Sequence, residues 1–241
     1  EMLARWVSPV RGLISPDDFI PVAEETGMIG DLSMSIIRKA MLEAKNWDPK
    51  LTISINISPV QLKDPWLAQK IVKLLVETGF PASRLEVEIT ESSLFKNLSL
   101  AQSIVGSLKN QGIRIALDDF GTGYSSLAHL RALPFDRIKI DRSFVSSMLE
   151  NAESAAIVNA IAGLGASLQV PITAEGIEDE NIIEKLRELG CSKGQGWLFG
   201  QPLNIDQVRL LLLQKNLLPH SHRLSPSNVT EQDDLDFRKV S

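Results

Sequence analysis

The stretch IRIALDDFGTG, residues 113–123, decides how this chain is built. Ile113, Ile115 and Leu117 fall on one side, with Arg114, Ala116 and Asp118 on the other, and a period of two with one apolar side is a strand signature. The strand ends in two carboxylates, Asp118 and Asp119, followed by Gly121 and Gly123, which give a loop its turns. Four other stretches repeat the pattern. Ile53, Ile55 and Ile57 oppose Ser54, Asn56 and Ser58; Leu85, Val87 and Ile89 oppose Glu86, Glu88 and Thr90. Ile138 and Ile140 oppose Lys139 and Asp141; Val170, Ile172 and Ala174 oppose Pro171, Thr173 and Glu175. ARW behind Glu1, and GCSKGQGW with Gln195, complete a set of seven.

Helical patterns separate these strands at about Leu32–Trp47, Val60–Thr78, Ser99–Gln111, Ser143–Leu168 and Glu180–Leu189. Several stop on glycine, at Gly79, Gly112 and Gly190. Strand–helix repetition implies parallel pairing with crossovers. An open doubly wound sheet would make strands apolar on both faces, whereas these carry a polar side suited to a barrel lumen. The expected fold is therefore α/β, a TIM-like (β/α)8 barrel whose first strand is missing from this fragment, since only seven strands are legible. Residues 1–218 form the domain, and the polar, aperiodic tail 219–241 is expected to be disordered.

Bulk properties exclude several classes. The chain has 241 residues, 44% hydrophobic and 23% charged, which suits one globular barrel. Its net charge of −5 argues against a surface that coats a nucleic-acid polymer. A single cysteine, Cys191, rules out an internal disulfide, fits a reducing cytoplasm, and reads as a small core residue. No apolar run reaches the length of a membrane span, and Leu210–Leu213 belongs to a short amphipathic segment. The chain starts on Glu1, as expected of a piece of a longer protein that could be anchored elsewhere.

In a parallel barrel the carboxyl ends of the strands share one mouth, which gathers these scattered residues into one site. Glu1, Asn56, Glu88, Asp118, Asp119, Glu175 and Glu178 are all oxygen donors, the set a hard divalent cation prefers, and no histidine stands at a strand end. So many negative charges at one mouth call for metal. The adjacent pair Asp118–Asp119 suits two ions, and Lys139 adds a cation that could hold water or a phosphate oxygen. Metal-assisted phosphodiester cleavage is the reaction class this chemistry favours. Taken singly, each residue has a blander reading: a solvated strand end, an N-cap, a lumen amide for Asn56, or a pair with Asp141 for Lys139.

Taken together, the motifs resemble bacterial EAL domains, the cyclic di-GMP phosphodiesterases. The namesake triplet stands as EML at Glu1–Leu3, with Met2 in place of alanine. The rest are SINIS (54–58), EITES (88–92), DDFGTGYSSL (118–127), KID (139–141), TAEGIE (173–178) and GQGWLFGQP (194–202), and the likeness runs to about Leu217. The resemblance implies metal-dependent hydrolysis of cyclic di-GMP to linear pGpG. It implies two ions, Mg²⁺ or Mn²⁺, with Ca²⁺ inhibiting. Glu1, Asn56, Glu88 and Asp118 would hold the first, and Asp118, Asp119 and Glu175 the second. Lys139 would contact the catalytic water, Glu175 would act as general base, and Glu178 and Gln195 would support the site. Arg5 would bind a substrate phosphate, and Glu91 would anchor the loop after Asp119. That loop would also serve a homodimer, and a sensory or GGDEF-type domain is expected upstream. The alternatives are a catalytically silent cyclic di-GMP receptor and, more distantly, a lyase using Lys139 as a Schiff base, which the surrounding carboxylates oppose by raising its pKa.

Other features read as structural. DFG at Asp119–Gly121 lacks the companion motifs of a kinase, the HSH pair at His220–His222 reads as solvent-exposed, and Asn228-Val229-Thr230 is a glycosylation match without a secretory context. Trp197 and Phe199 read as core residues, with guanine stacking the alternative if they stand at the mouth.

Overall fold

A computed structural model describes residues 1–94, 97–123, 130 and 133–218. The strands are β1 (Trp6–Ser8), β2 (Gly12–Ile14), β3 (Ile53–Ile57), β4 (Leu85–Thr90), β5 (Arg114–Phe120), β6 (Arg137–Ile140), β7 (Ile172–Ala174) and β8 (Lys193–Gly194). Interleaved with them are α1 (Pro16–Glu25), α2 (Ile29–Ala44), α3 (Leu67–Thr78), α4 (Glu91–Leu94), α5 (Leu98–Asn110), α6 (Arg142–Ser147), α7 (Ala152–Leu168), α8 (Glu180–Glu188) and α9 (Ile205–Gln214). The expected 219–241 tail, the HSH pair and the Asn228 sequon lie outside the described residues, as do residues 124–127 of the DDFGTGYSSL motif.

β3 to β8 form one parallel sheet in sequence order, as the strand–helix alternation predicts. At its free edge, Met2 forms a parallel bridge to Ile55, and its amide donates to the Ser54 carbonyl at 2.9 Å. Just beyond the opposite edge, Gln195 Nε2 donates to Glu1 Oε2 at 2.5 Å. The two ends of the sheet therefore meet at Glu1, as a TIM-like barrel requires. The ARW stretch departs from expectation. Trp6 to Ser8 turns back antiparallel on β2 in a separate two-stranded sheet, braced by the edge of Trp6 against Phe19 of α1.

The outward sides of the strands build the core. Ile53, Ile55, Val87, Ile89, Ile115, Leu117, Ile138 and Ile140 are buried against helix residues such as Ile71, Leu75, Ile104 and Leu108. Burial of this kind contributes about 25 cal/mol per Å² of apolar surface and holds the helical ring on the barrel. The long helix expected over 143–168 is two helices. Asn151 accepts from the Glu153 and Ser154 amides and so restarts the chain as α7, an N-cap that outcompetes helix continuation.

Candidate active site at the carboxyl ends of the strands

Lys139, near the end of β6 and 2% exposed, is the hub. Its ammonium lies 2.6 Å from Glu175 Oε1, 2.7 Å from Glu88 Oε2, 3.3 Å from Asp118 Oδ1 and 3.9 Å from Glu1 Oε2. Residues 174 positions apart thus converge on one nitrogen, because each follows a different strand to the same rim. Asp141, the alternative partner, instead accepts from the Ser143 amide and caps α6.

Around the hub the neutral donors are spent on one acid. Asn56 Nδ2 donates to Glu1 Oε1 at 2.7 Å, and Gln195 holds the other oxygen. Burial disfavours the Glu1 carboxylate, but Lys139, Gln195 and Asn56 outweigh it and hold its pKa below the usual range. Among the described residues Glu88 has no such amide donor. Burial, only partly offset by Lys139 and reinforced by Glu1 and Asp118, pushes it up to about 7. Burial likewise lifts Glu175 to about 7, against the pull of Lys139. Asp119 rises to about 6, through burial and then the charges of Asp118 and Asp141. Burial also opposes the Lys139 ammonium, yet the four carboxylates win and hold it charged well above its ordinary value.

Period two should send Asp118 and Asp119 to opposite faces, yet Asp118, Asp119 and Glu175 each place an oxygen within 4.8 Å of the others. The register of β5 on β6 supplies the reason: pairing shifts between Leu117 and Phe120, and Asp119 adopts a left-handed φ of 52°. Such a bulge re-aims a side chain, and aspartate tolerates that conformation better than most residues. Beyond it, Glu91 Oε2 accepts from the Gly121 and Gly123 amides at 3.0 and 3.3 Å, tying the next turn to the end of β4. A side chain at Gly123 would meet the Glu91 carboxyl at 3.0 Å.

The donor set fits divalent cations. Five carboxylates face one ammonium, and three of the five have raised pKa values, the mark of uncompensated negative charge. Glu175 Oε1 is buried 2.6 Å from the Lys139 ammonium and meets no other donor among the described residues. Oxygen-only donors suit Mg²⁺, Mn²⁺ or Ca²⁺ rather than zinc.

Not every expected residue joins the cluster. Glu178 is exposed on the loop after β7, with no hydrogen bond or ion pair among the described residues. Arg5 is exposed, its guanidinium donating to the Ala4 carbonyl at 2.8 Å, and it pairs with none of the carboxylates. Trp197 and Phe199, read as core, are 62% and 61% exposed, on the loop that follows β8 and Gln195. Cys191 is half-buried against the core as expected. One layer went unremarked in the sequence. Arg137 donates to Glu86 at 3.2 Å and to Thr173 Oγ1 at 3.1 Å, each partner two residues before a site carboxylate. That two-residue offset was the available signal.

Comparison with known proteins agrees with this geometry. The family model described as the EAL domain matches residues 1–202. A signaling protein of Caulobacter vibrioides is 47% identical over 210 residues, covering 87% of this chain and 26% of its own length. The bifunctional diguanylate cyclase/cyclic di-GMP phosphodiesterase MucR of Pseudomonas aeruginosa is 37% identical over 212 residues, covering 86% of this chain and 31% of that protein. The chain thus spans about a quarter to a third of these relatives. The solved structure of the PaMucR phosphodiesterase in complex with c-di-GMP superposes with a TM-score of 0.82 and 36% identity, covering 85% of this chain and 84% of that one. With the carboxylates of the named motifs gathered around Lys139 and the family match running from Glu1 through the last of the strands, the chain belongs to the EAL domain family.

Proposed function

We propose that this domain hydrolyses cyclic di-GMP to linear pGpG, with residues 1–218 as the working unit, in the cytoplasm. The observation that carries the reading is the convergence of Asp118, Asp119 and Glu175 oxygens beside a buried lysine. Glu1, Asn56, Glu88 and Asp118 would hold one Mg²⁺ or Mn²⁺, and Asp118, Asp119 and Glu175 a second. When bound, such ions supply Lewis acidity to water and phosphoryl oxygens and reverse the sign of a mouth that would otherwise repel a dianionic substrate. Lys139 keeps a fixed positive charge where water or a phosphate oxygen would rest. Glu175 would take the proton. Asn56 and Gln195 orient Glu1, and Arg5, without a carboxylate partner among the described residues, would meet a substrate phosphate. Glu178 would serve from the surrounding loop.

Ca²⁺ would occupy the site and inhibit, because its looser coordination positions water poorly. A homodimer and an upstream sensory or GGDEF-type domain complete the proposal. Support for the latter is the double activity in the name of MucR, of which this chain spans 31%. The test is incubation of the purified chain with cyclic di-GMP and Mg²⁺. Formation of pGpG that stops in excess chelator, and is lost in Glu1→Ala and Asp118→Ala variants that stay folded, supports hydrolysis. Binding without product points instead to the receptor alternative.

A further inference from the structure

The opposite end of the barrel carries a charge of the other sign. Register fixes which side chains share its lumen, because residues paired across parallel strands project to the same face. Glu86 and Thr173 both project inward, since each meets Arg137 there. Ser54 and Arg114 are the register partners of Glu86, and Lys193 is the partner of Thr173. From β3 to β8 the ring therefore reads Ser54, Glu86, Arg114, Arg137, Thr173 and Lys193, all within the first two residues of their strands. Three cations stand against one carboxylate, and that carboxylate is already engaged by Arg137.

Two further observations point the same way. Arg114 Nε is buried and has no hydrogen-bond partner among the described residues, although its Nη2 donates to the Ser83 carbonyl at 2.9 Å. Burial and the charges of Arg137 and Arg114 depress the Lys193 pKa, and Glu86 only partly restores it. The ring thus holds surplus positive charge, a donor without an acceptor, and an exposed lysine that opens it to solvent.

We propose that this amino-end ring binds a small oxyanion of the phosphate class, either inorganic phosphate or the head of a phosphate monoester. The site is separate from the acidic mouth, and it stands whether or not cyclic di-GMP is hydrolysed. Arg114 and Lys193 would donate to the anion, with the hydroxyls of Ser54 and Thr173 within the same ring. Arg137 would remain committed to Glu86 and hold the floor in shape.

The experiment uses the intact chain in excess chelator, where the metal-free mouth is anionic and takes no phosphate. Thermal midpoints are followed against inorganic phosphate, glycerol phosphate and chloride of matched ionic strength. A midpoint that climbs with phosphate or glycerol phosphate beyond the chloride control supports the site, and the more potent of the two identifies the source. Lys193→Met, at an exposed position, should fold normally and weaken the response about tenfold, the weight of one charge-assisted bond. Lys193→Arg should restore it. Arg114→Gln provides a second disruption of the same ring. Midpoints that follow ionic strength alone, or an unchanged phosphate response in folded Lys193→Met, overturn the proposal. Hydrolysis of cyclic di-GMP by Lys193→Met reports separately on the mouth.

Discussion

Stripped of divalent metal, this domain should lose stability as pH rises from 5 to 8, the reverse of a protein whose carboxylates sit in favourable ion pairs. Burial holds Glu88 and Glu175 at about 7 in the folded chain, against 4.5 for a free glutamate. Below pH 4.5 both are protonated whether the chain is folded or not, and the folded state keeps its full advantage. Between 4.5 and 7 the unfolded chain has released these protons while the folded chain retains them. Each pH unit then favours unfolding by about 1.4 kcal/mol per group, until the advantage is gone above pH 7. A single such group costs about 3 kcal/mol between pH 5 and 8. Because these acids surround one ammonium and titrate as a set, one group's worth is the magnitude to expect rather than a multiple. Lys139, raised above its ordinary value, and Glu1, lowered below its own, do not change charge in this window. With a urea slope of about 2 kcal/mol per M, the unfolding midpoint in EDTA should drop by about 1 to 1.5 M from pH 5 to pH 8. Added Mg²⁺ should recover more of the midpoint at pH 8 than at pH 5, because it competes with those same protons. A chelated midpoint that stays flat or climbs over this range refutes the reasoning.

Three further outcomes follow from particular contacts. Lys139→Met leaves four carboxylates around an uncharged side chain; it should destabilise the chelated protein by about 3–5 kcal/mol and reduce hydrolysis about a hundredfold or more, checked by urea melts and product formation. Glu91→Gln retains an acceptor for the Gly121 and Gly123 amides but loses its charge, so about 1 kcal/mol of unfolding free energy should disappear, with faster amide exchange at both glycines. Within α7, two glycines should respond oppositely to alanine. Gly165→Ala would put a methyl 2.4 Å from Ile172 Cδ1 and should cost about 1–3 kcal/mol, whereas Gly163→Ala meets nothing within 4 Å and should gain about 0.5–1 kcal/mol in helix propensity. Equal thermal shifts for the pair would show that the packing of β7 on α7 is not as described.

Periodicity alone determined five central strands, the polar lumen and the parallel barrel, because alternation of apolar and polar residues leaves few ways to bury one side of each strand. The motif carboxylates, and the family they belong to, were legible from order and spacing. Only the tertiary structure decided who meets whom. Alternation says which face Asp118 takes but not that a register shift and a left-handed Asp119 carry both acids to the same rim. The stagger between neighbouring strands, set by barrel closure rather than by any one segment, brought Glu1, Glu88, Asp118 and Glu175 onto Lys139 and paired Arg137 with Glu86. The same closure turned Trp6 into a separate hairpin and left Trp197, Phe199 and Glu178 exposed. Loop paths depend on what the finished barrel already covers, and no local pattern encodes that.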